Sequence, residues 1–400
     1  MKKPVEKMIE ELKNSPLYAM SLGGRELYHS NFWAWLMEQD KQFIKVFFPK
    51  IEIGENTEVE IEREKGNRDI SITIGDKVYV IENKLKSIAT IEQLEKYQDD
   101  LGDKFQQGVL TGISEDIDLK EANMDEKWQF ILYSDICKGI NNVLQNTADG
   151  FDKCVIEQYK KDTETVSELI QNIVPKMEDM NTWHMKTIEN LSKSNKKQDD
   201  KKPTLSDIRM DDLCKKKWAN VFAKKLQEAL KTSEFKEKFD EVIYCKYTEK
   251  NYKLQDVRSD FTNKQPLVEL FYRAEDDKNT LIGIQIQGRQ YRRCFSGSCN
   301  NASNLDKTYD DLLDKTYDVL LEAKWFGDRN EHNERLWNDE PYTTNQKIKE
   351  KGEKEYCKYA PSFIYQHRTL SDSDCGIDEI LKVIKADIKN AKNVLNELKS

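Results

Sequence analysis

The sequence predicts an α/β protein in two parts: a mixed central sheet flanked by helices in the first half, and an α+β second half. Three observations predict it. Two β-rich runs meet at a two-residue turn, Gly75-Asp76. Around that turn the elements run helix, three strands, helix, strand, strand, helix. A polar, highly charged stretch at 193–206 then separates this part from further helices and strands. The expected organisation is a first domain over 1–192, a linker over 193–206 and an α+β domain over 207–400 that binds nucleic acid or a partner.

The bulk numbers bound the function classes. Four hundred residues suit two or three domains. A chain that is 34% charged and 38% hydrophobic suits a globular protein with a solvated surface. No run approaches the ~18 apolar residues of a membrane helix. The start, MKKPVEKMIEELK, lacks the apolar stretch of a signal peptide, so a cytoplasmic protein without membrane contact is expected. The eight cysteines form no C-x-x-C pair, which points to neither zinc nor a disulfide framework. The net charge of −9 argues mildly against a nucleic-acid binder, but it is uneven: residues 1–200 carry −11 and residues 201–400 carry +2. An acidic half that collects divalent metal beside a half that touches phosphates is one reading; acidity that serves solubility is the other.

In chain order, residues 4–14 form a helix ended by Asn14-Ser15-Pro16. Gly23-Gly24 breaks the chain before a helix over 26–38, on which Glu26, His29 and Ser30 share a face. Phe43, Val46, Phe47 and Phe48 continue a helical apolar face up to Pro49. Glu58 to Glu64 alternates as a strand, and Gly66-Asn67 turns the chain into the next. After the hairpin, a helix over 90–101 carries Gln93 and Tyr97 on one face. Residues 108–112 (GVLTG) and 128–133 (WQFILY) are buried strands, and Ser134-Asp135 caps a helix over 135–146. Helices over 151–173 and 177–192 follow.

The hairpin carries the chemistry. Ile70, Ile72 and Ile74 alternate with Asp69, Ser71 and Thr73, and Val78 to Asn83 forms the return strand. A two-residue turn pairs Ile74 with Lys77, and stepping outward from that pair sets Asp69 opposite Glu82. Lys84 shares the face of Glu82 by the strand period of two. Like charges directly opposed destabilise a strand pair unless a cation lies between them. Few, hard oxygen ligands suit Mg²⁺ or Mn²⁺, and a lysine beside them can hold a water or offset charge developing on phosphorus.

Asp69 followed by Glu82-Asn83-Lys84 resembles the signature of the PD-(D/E)XK nuclease superfamily. Glu26 with His29-Ser30, ahead of Phe32, Trp33, Trp35 and Leu36, resembles the first helix of one branch. Arg68-Asp69-Ile70 resembles its acid strand, and Gln93-Leu94 with Tyr97 its following helix. The resemblance covers residues 20 to 160 and, more weakly, a strand at Phe363–Tyr365 and the last helix. Arg68 stands where the family's usual proline precedes the acid. The resemblance implies a restriction-endonuclease-like core and a metal-dependent nuclease. Asp69 and Glu82 would be metal ligands, with the Asn83 carbonyl as a third. Lys84 would orient the attacking water, with Glu26 and Gln93 as further members of the catalytic set. The substrate would be nucleic acid, DNA favoured over RNA, and a homodimer would suit cutting both strands of a duplex. The alternative is a nuclease-like fold that binds nucleic acid or regulates without cutting.

The second half starts with a basic amphipathic helix over 207–231. Strands over 241–247, 267–273 and 281–288 form a small antiparallel sheet, and helices over 307–325 and 376–398 complete it. Arg289, Arg292 and Arg293 with Tyr291 combine basic and aromatic groups at a strand end, a pattern that grips phosphate backbones or forms a solvated hairpin tip. Tyr97 is the nucleic-acid contact candidate in the first half.

Overall fold

A computed structural model describes residues 3–21, 25–85, 89–115, 117, 119–120, 122–183, 186–193, 202–231, 233–246, 248–277, 279–297, 309–326, 356–360, 363–370 and 376–398. The Gly23-Gly24 break and residues 194–201 of the expected linker lie outside them. The chain divides into two units. The first is Met1–Val174 with Ile188–Cys214, and the second is Pro175–Thr187 with Lys215–Ser400.

The first unit is a five-stranded mixed sheet flanked by helices. Its helices are α1 (Val5–Asn14), α2 (Pro16–Ser21), α3 (Arg25–Gln39), α4 (Ile44–Phe47), α5 (Ile91–Leu101), α6 (Tyr133–Asn146), α7 (Phe151–Ile173) and most of α8 (Lys186–Ser192). Its strands, β1 (Glu60–Arg63), β2 (Ile70–Ile74), β3 (Lys77–Lys84), β4 (Phe105–Gly112) and β5 (Trp128–Leu132), lie side by side in chain order. β1, β2 and β3 are antiparallel, while β4 and β5 join in parallel. The change of direction follows from connection length: the tight turn at Gly75, φ +62°, returns the chain at once, whereas α5 carries it across before β4. The hairpin register is Ile74↔Lys77 through Ile70↔Ile81, as the turn requires.

Both faces of β2 and β3 are buried. Ile70, Ile72 and Ile81 lie on one, and Val78 and Val80 pack on the other with Leu94 and Tyr97 of α5 and Phe105 and Trp128 of the neighbouring strands. The face of Glu82 and Lys84 is therefore roofed. β4 approaches closely under that roof: a Cβ on Gly108 would lie 2.3–2.5 Å from the Trp128 ring.

Several expected elements differ. α2 starts directly at Pro16, because proline suits the first turn of a helix as well as the end of one. α6 starts at Tyr133 with no side-chain cap, so Ser134 and Asp135 lie inside its first turn. The helix expected over 177–192 shrinks to α8. Residues 175–183 are held in the second unit instead, where Lys225 Nζ donates to the carbonyls of Met177 and Met180 at 3.1 and 2.7 Å. The described end of the expected linker folds onto the first unit: Leu205 N donates to Leu191 O at 2.8 Å, and Leu205 is fully buried.

The second unit contains most of α9 (Asp211–Leu230), then α10 (Ser233–Asp240), α11 (Tyr309–Glu322) and α12 (Ile377–Glu397). Its strands are β6 (Val242–Cys245), β7 (Lys250–Leu254), β8 (Arg258–Thr262), β9 (Gln265–Ala274), β10 (Leu281–Gln287), β11 (Gln290–Ser296), β12 (Cys357–Ala360) and β13 (Phe363–Thr369). They form one eight-stranded sheet, larger than expected. Phe363–Tyr365 belongs to β13 of this sheet, paired with β11, and the last helix belongs to the same unit. Neither extends the sheet of the first unit.

Candidate active site

The site gathers at the ends of β2 and β3, under α5 and beside the start of α3. Asp69 stands one residue beyond the last pair of the hairpin ladder. Its Oδ2 accepts from the backbone N–H of Asn83 at 2.7 Å, so the acid is tied to β3 as well as to its own strand. Burial lifts its pKa first and the charge of Glu82 second, and together they bring it from 3.8 to about 7.

Glu82 is 2% exposed. Its Oε1 receives Lys84 Nζ at 2.7 Å and Gln93 Nε2 at 2.8 Å. Among the described residues its Oε2 is buried with no hydrogen-bond partner. A buried carboxylate oxygen left without a donor is costly, and a cation removes that cost. Lys84 is largely enclosed, so the ion pair is shielded from water.

Gln93 reaches the site because Thr90 caps α5, accepting from the N–H of Gln93 and setting the helix start. Gln93 Nε2 also meets Tyr97 Oη at 2.7 Å, and Tyr97 in turn donates to Asn67 O at 2.5 Å. Burial, with Glu82 as the next cause, pushes the Tyr97 phenol up to about 12. Tyr97 is buried and bonded to main chain, so it walls the site and does not present itself to nucleic acid.

Asn83 is the structural centre. At 1% exposure, its amide nitrogen donates to Glu26 O at 2.8 Å and to Ser30 Oγ at 3.1 Å. Its Oδ1 accepts from Thr111 Oγ1 at 3.1 Å and from the Tyr133 hydroxyl. Glu26 Oε1 accepts from Leu85 N at 2.9 Å. Helix α3 is thus bound to the end of β3 through both its main chain and its first acid. His29, on the same helix face, instead bonds Tyr159 Oη at 2.7 Å among aromatic rings.

The structure therefore brings together Asp69, Glu82, Asn83, Lys84, Glu26, Gln93 and Tyr97. It also adds Thr111 and Tyr133, which the sequence reading missed. Only the parallel pairing Asn83↔Thr111 puts Thr111 there, and no short-range signal announces it. The arginines of the second unit are engaged within it. Arg293 forms a two-pronged pair with Asp387, at 3.0 and 2.7 Å, and Tyr291 Oη donates to the same carboxylate at 2.7 Å. Arg292 bonds Gln285 and Gln290 and stacks on Tyr365. Arg289 is exposed and donates to Leu370 O. These contacts pin α12 and β13 to β11, so Arg292, Arg293 and Tyr291 are not a solvated tip.

Among the described residues no three His, Cys, Asp or Glu side chains converge as a metal cluster. The candidate donor set is the pair of carboxylates that the hairpin brings to this end of the sheet, Asp69 and Glu82. Hard, sparse and oxygen-only, it suits an ion that keeps water and substrate oxygens in its shell. Among the described residues no helix is long and apolar enough to cross a membrane.

Residues 16–161 match the family model of the PD-(D/E)XK nuclease superfamily. No curated protein and no solved structure matches the chain. The match covers the whole of the site just described and points to nuclease activity on nucleic acid.

Proposed function

We propose that the first unit, whose residues 16–161 carry a PD-(D/E)XK nuclease-superfamily domain, is a divalent-metal-dependent nuclease that hydrolyses phosphodiester bonds, in DNA before RNA. The observation that carries this reading is Glu82, with one oxygen held by Lys84 and Gln93 and the other, among the described residues, buried without a partner. Asp69, Glu82 and the Asn83 carbonyl would hold Mg²⁺ or Mn²⁺. Such an ion, when bound, polarises a phosphoryl oxygen and makes a water acidic enough to attack. The chain's own groups do the rest. Gln93 fixes the rotamer of Glu82. Lys84 orients the attacking water and offsets charge developing on phosphorus. Glu26, anchored on the Leu85 N–H, keeps a further acid at the site. The scattered cysteines, six of them free among the described residues, suit a reducing cytoplasm.

Cleavage of plasmid, linear duplex, single-stranded DNA and RNA, with Mg²⁺, Mn²⁺ or EDTA, tests the proposal beside the Lys84→Ala protein. Metal-dependent cutting lost in the variant supports it, and the substrate panel decides DNA against RNA. Absence of cutting on every substrate favours the non-cleaving binding module.

A further inference from the structure

Arg68 precedes Asp69 and is 8% exposed. Its Nε donates to Ser71 Oγ at 3.1 Å. Among the described residues its two terminal nitrogens have no hydrogen-bond partner. Among the described residues the basic groups nearest in the chain are occupied: Arg63 donates to Asn31, Lys65 to Glu62 and Lys84 to Glu82. A guanidinium does not lose its proton, so burial cannot neutralise it, and its terminal donors are open to water or to an anion.

The surroundings hold the group in place. Ser71 lies on the face of Glu82, since it pairs with Val80, two residues earlier on the same strand. Gly66, at φ +61°, packs directly against the guanidinium: a Cβ there would sit 3.0 Å from Cζ and both terminal nitrogens. Ser71 fixes the Nε edge, which leaves the terminal edge as the one that can meet a ligand. Through Ser71 the guanidinium is therefore held on the strand face that carries Glu82.

We propose that Arg68 is a substrate-binding residue whose terminal nitrogens take a backbone phosphate next to the one being cleaved. The inference rests on the nuclease reading. The geometry is that of a planar donor fork, suited to two oxygens of one phosphate. The site otherwise collects acids, Asp69, Glu82 and Glu26, which repel a polyanion before metal binds. A fixed cation beside them draws the strand in.

The experiment measures binding of a fluorescein-labelled duplex and a single-stranded oligonucleotide, in EDTA, over a salt series. It uses the full chain, Arg68→Gln and Arg68→Lys, with thermal melting alongside. Each phosphate contact contributes to the slope of log K against log salt. The Gln variant is expected to bind about ten- to a hundredfold more weakly, with a slope smaller by about one. The Lys variant should recover the slope and part of the affinity, because it keeps the charge and loses the fork. If Arg68→Gln melts before it can be assayed, the split in Arg68→Lys decides: weakened binding at an unchanged slope supports the fork. Variants that melt differently but bind with wild-type affinity and slope overturn the proposal. Wild-type protein that cuts while both Arg68 variants bind normally overturns this inference alone. Wild-type protein that neither binds nor cuts any substrate overturns the nuclease reading with it.

Discussion

The shifted acid of Asp69 gives the sharpest test of the paired-carboxylate site. Folding raises its pKa from 3.8 to about 7, so the folded state prefers the proton. The contribution to stability is full below about 3.8 and is lost as pH rises through about 7. Lowering the pH from 8 to 6 should therefore stabilise the metal-free protein by about 1.4 kcal/mol through this group. For a unit of this size that is a melting-temperature rise of about 3–6 °C. Metal needs the carboxylate deprotonated, so the same step should weaken Mg²⁺ or Mn²⁺ binding about tenfold and release a proton on binding at pH 6. The perturbation is Asp69→Asn. It keeps an oxygen for the Asn83 N–H, which Asp69 holds at 2.7 Å, while removing the charge. Melting and titration calorimetry from pH 8 to 6, in two buffers of different ionisation enthalpy, read both effects. The difference between wild type and variant isolates Asp69 from every other titrating group. Equal pH dependence in the two proteins would sink the argument. The amide contact also alters the expectation for Asp69→Ala. Relief of repulsion is there opposed by an Asn83 N–H left unpaired in a 1% exposed residue.

Three further expectations follow from the same geometry. Lys84→Ala should remove cleavage and also cost about 3 kcal/mol in a urea melt, because Glu82 keeps a buried charge without its cation; cutting at the wild-type rate by a folded variant rules out the assigned role. Tyr97→Phe removes the hydroxyl between Gln93 and Asn67 O and should cost about 1 kcal/mol with a modest change in rate; a rate loss above about a thousandfold would place Tyr97 at the reacting atoms. Gly108→Ala drives a methyl into the Trp128 ring, which is 1% exposed and bonded through Nε1 to Gln98, and should cost about 3 kcal/mol. A melt unchanged from wild type would show that Trp128 can move.

What the sequence determined by itself was local. A two-residue turn leaves one register, so Gly75-Asp76 alone set Ile70 against Ile81 and put Asp69 and Glu82 at the ends of facing strands. The helix expected over 90–101 put Gln93 and Tyr97 on one face, and α5 keeps them there, with Thr90 as its cap. Burial on both faces of the hairpin was not legible, because Ser71, Thr73 and Lys84 are polar residues that give no sign of the packing α5 brings to their face. The partners of Asn83 were not legible either. Thr111 and Tyr133 come from a parallel strand and a later helix, 28 and 50 residues away. Arg293 meets Asp387 across 94 residues, which turns an apparent phosphate grip into an internal pin. A hairpin turn fixes pairing through the geometry of a few bonds. A long connection fixes neither register nor partner, and the choice falls to whichever packing satisfies the buried donors and acceptors together.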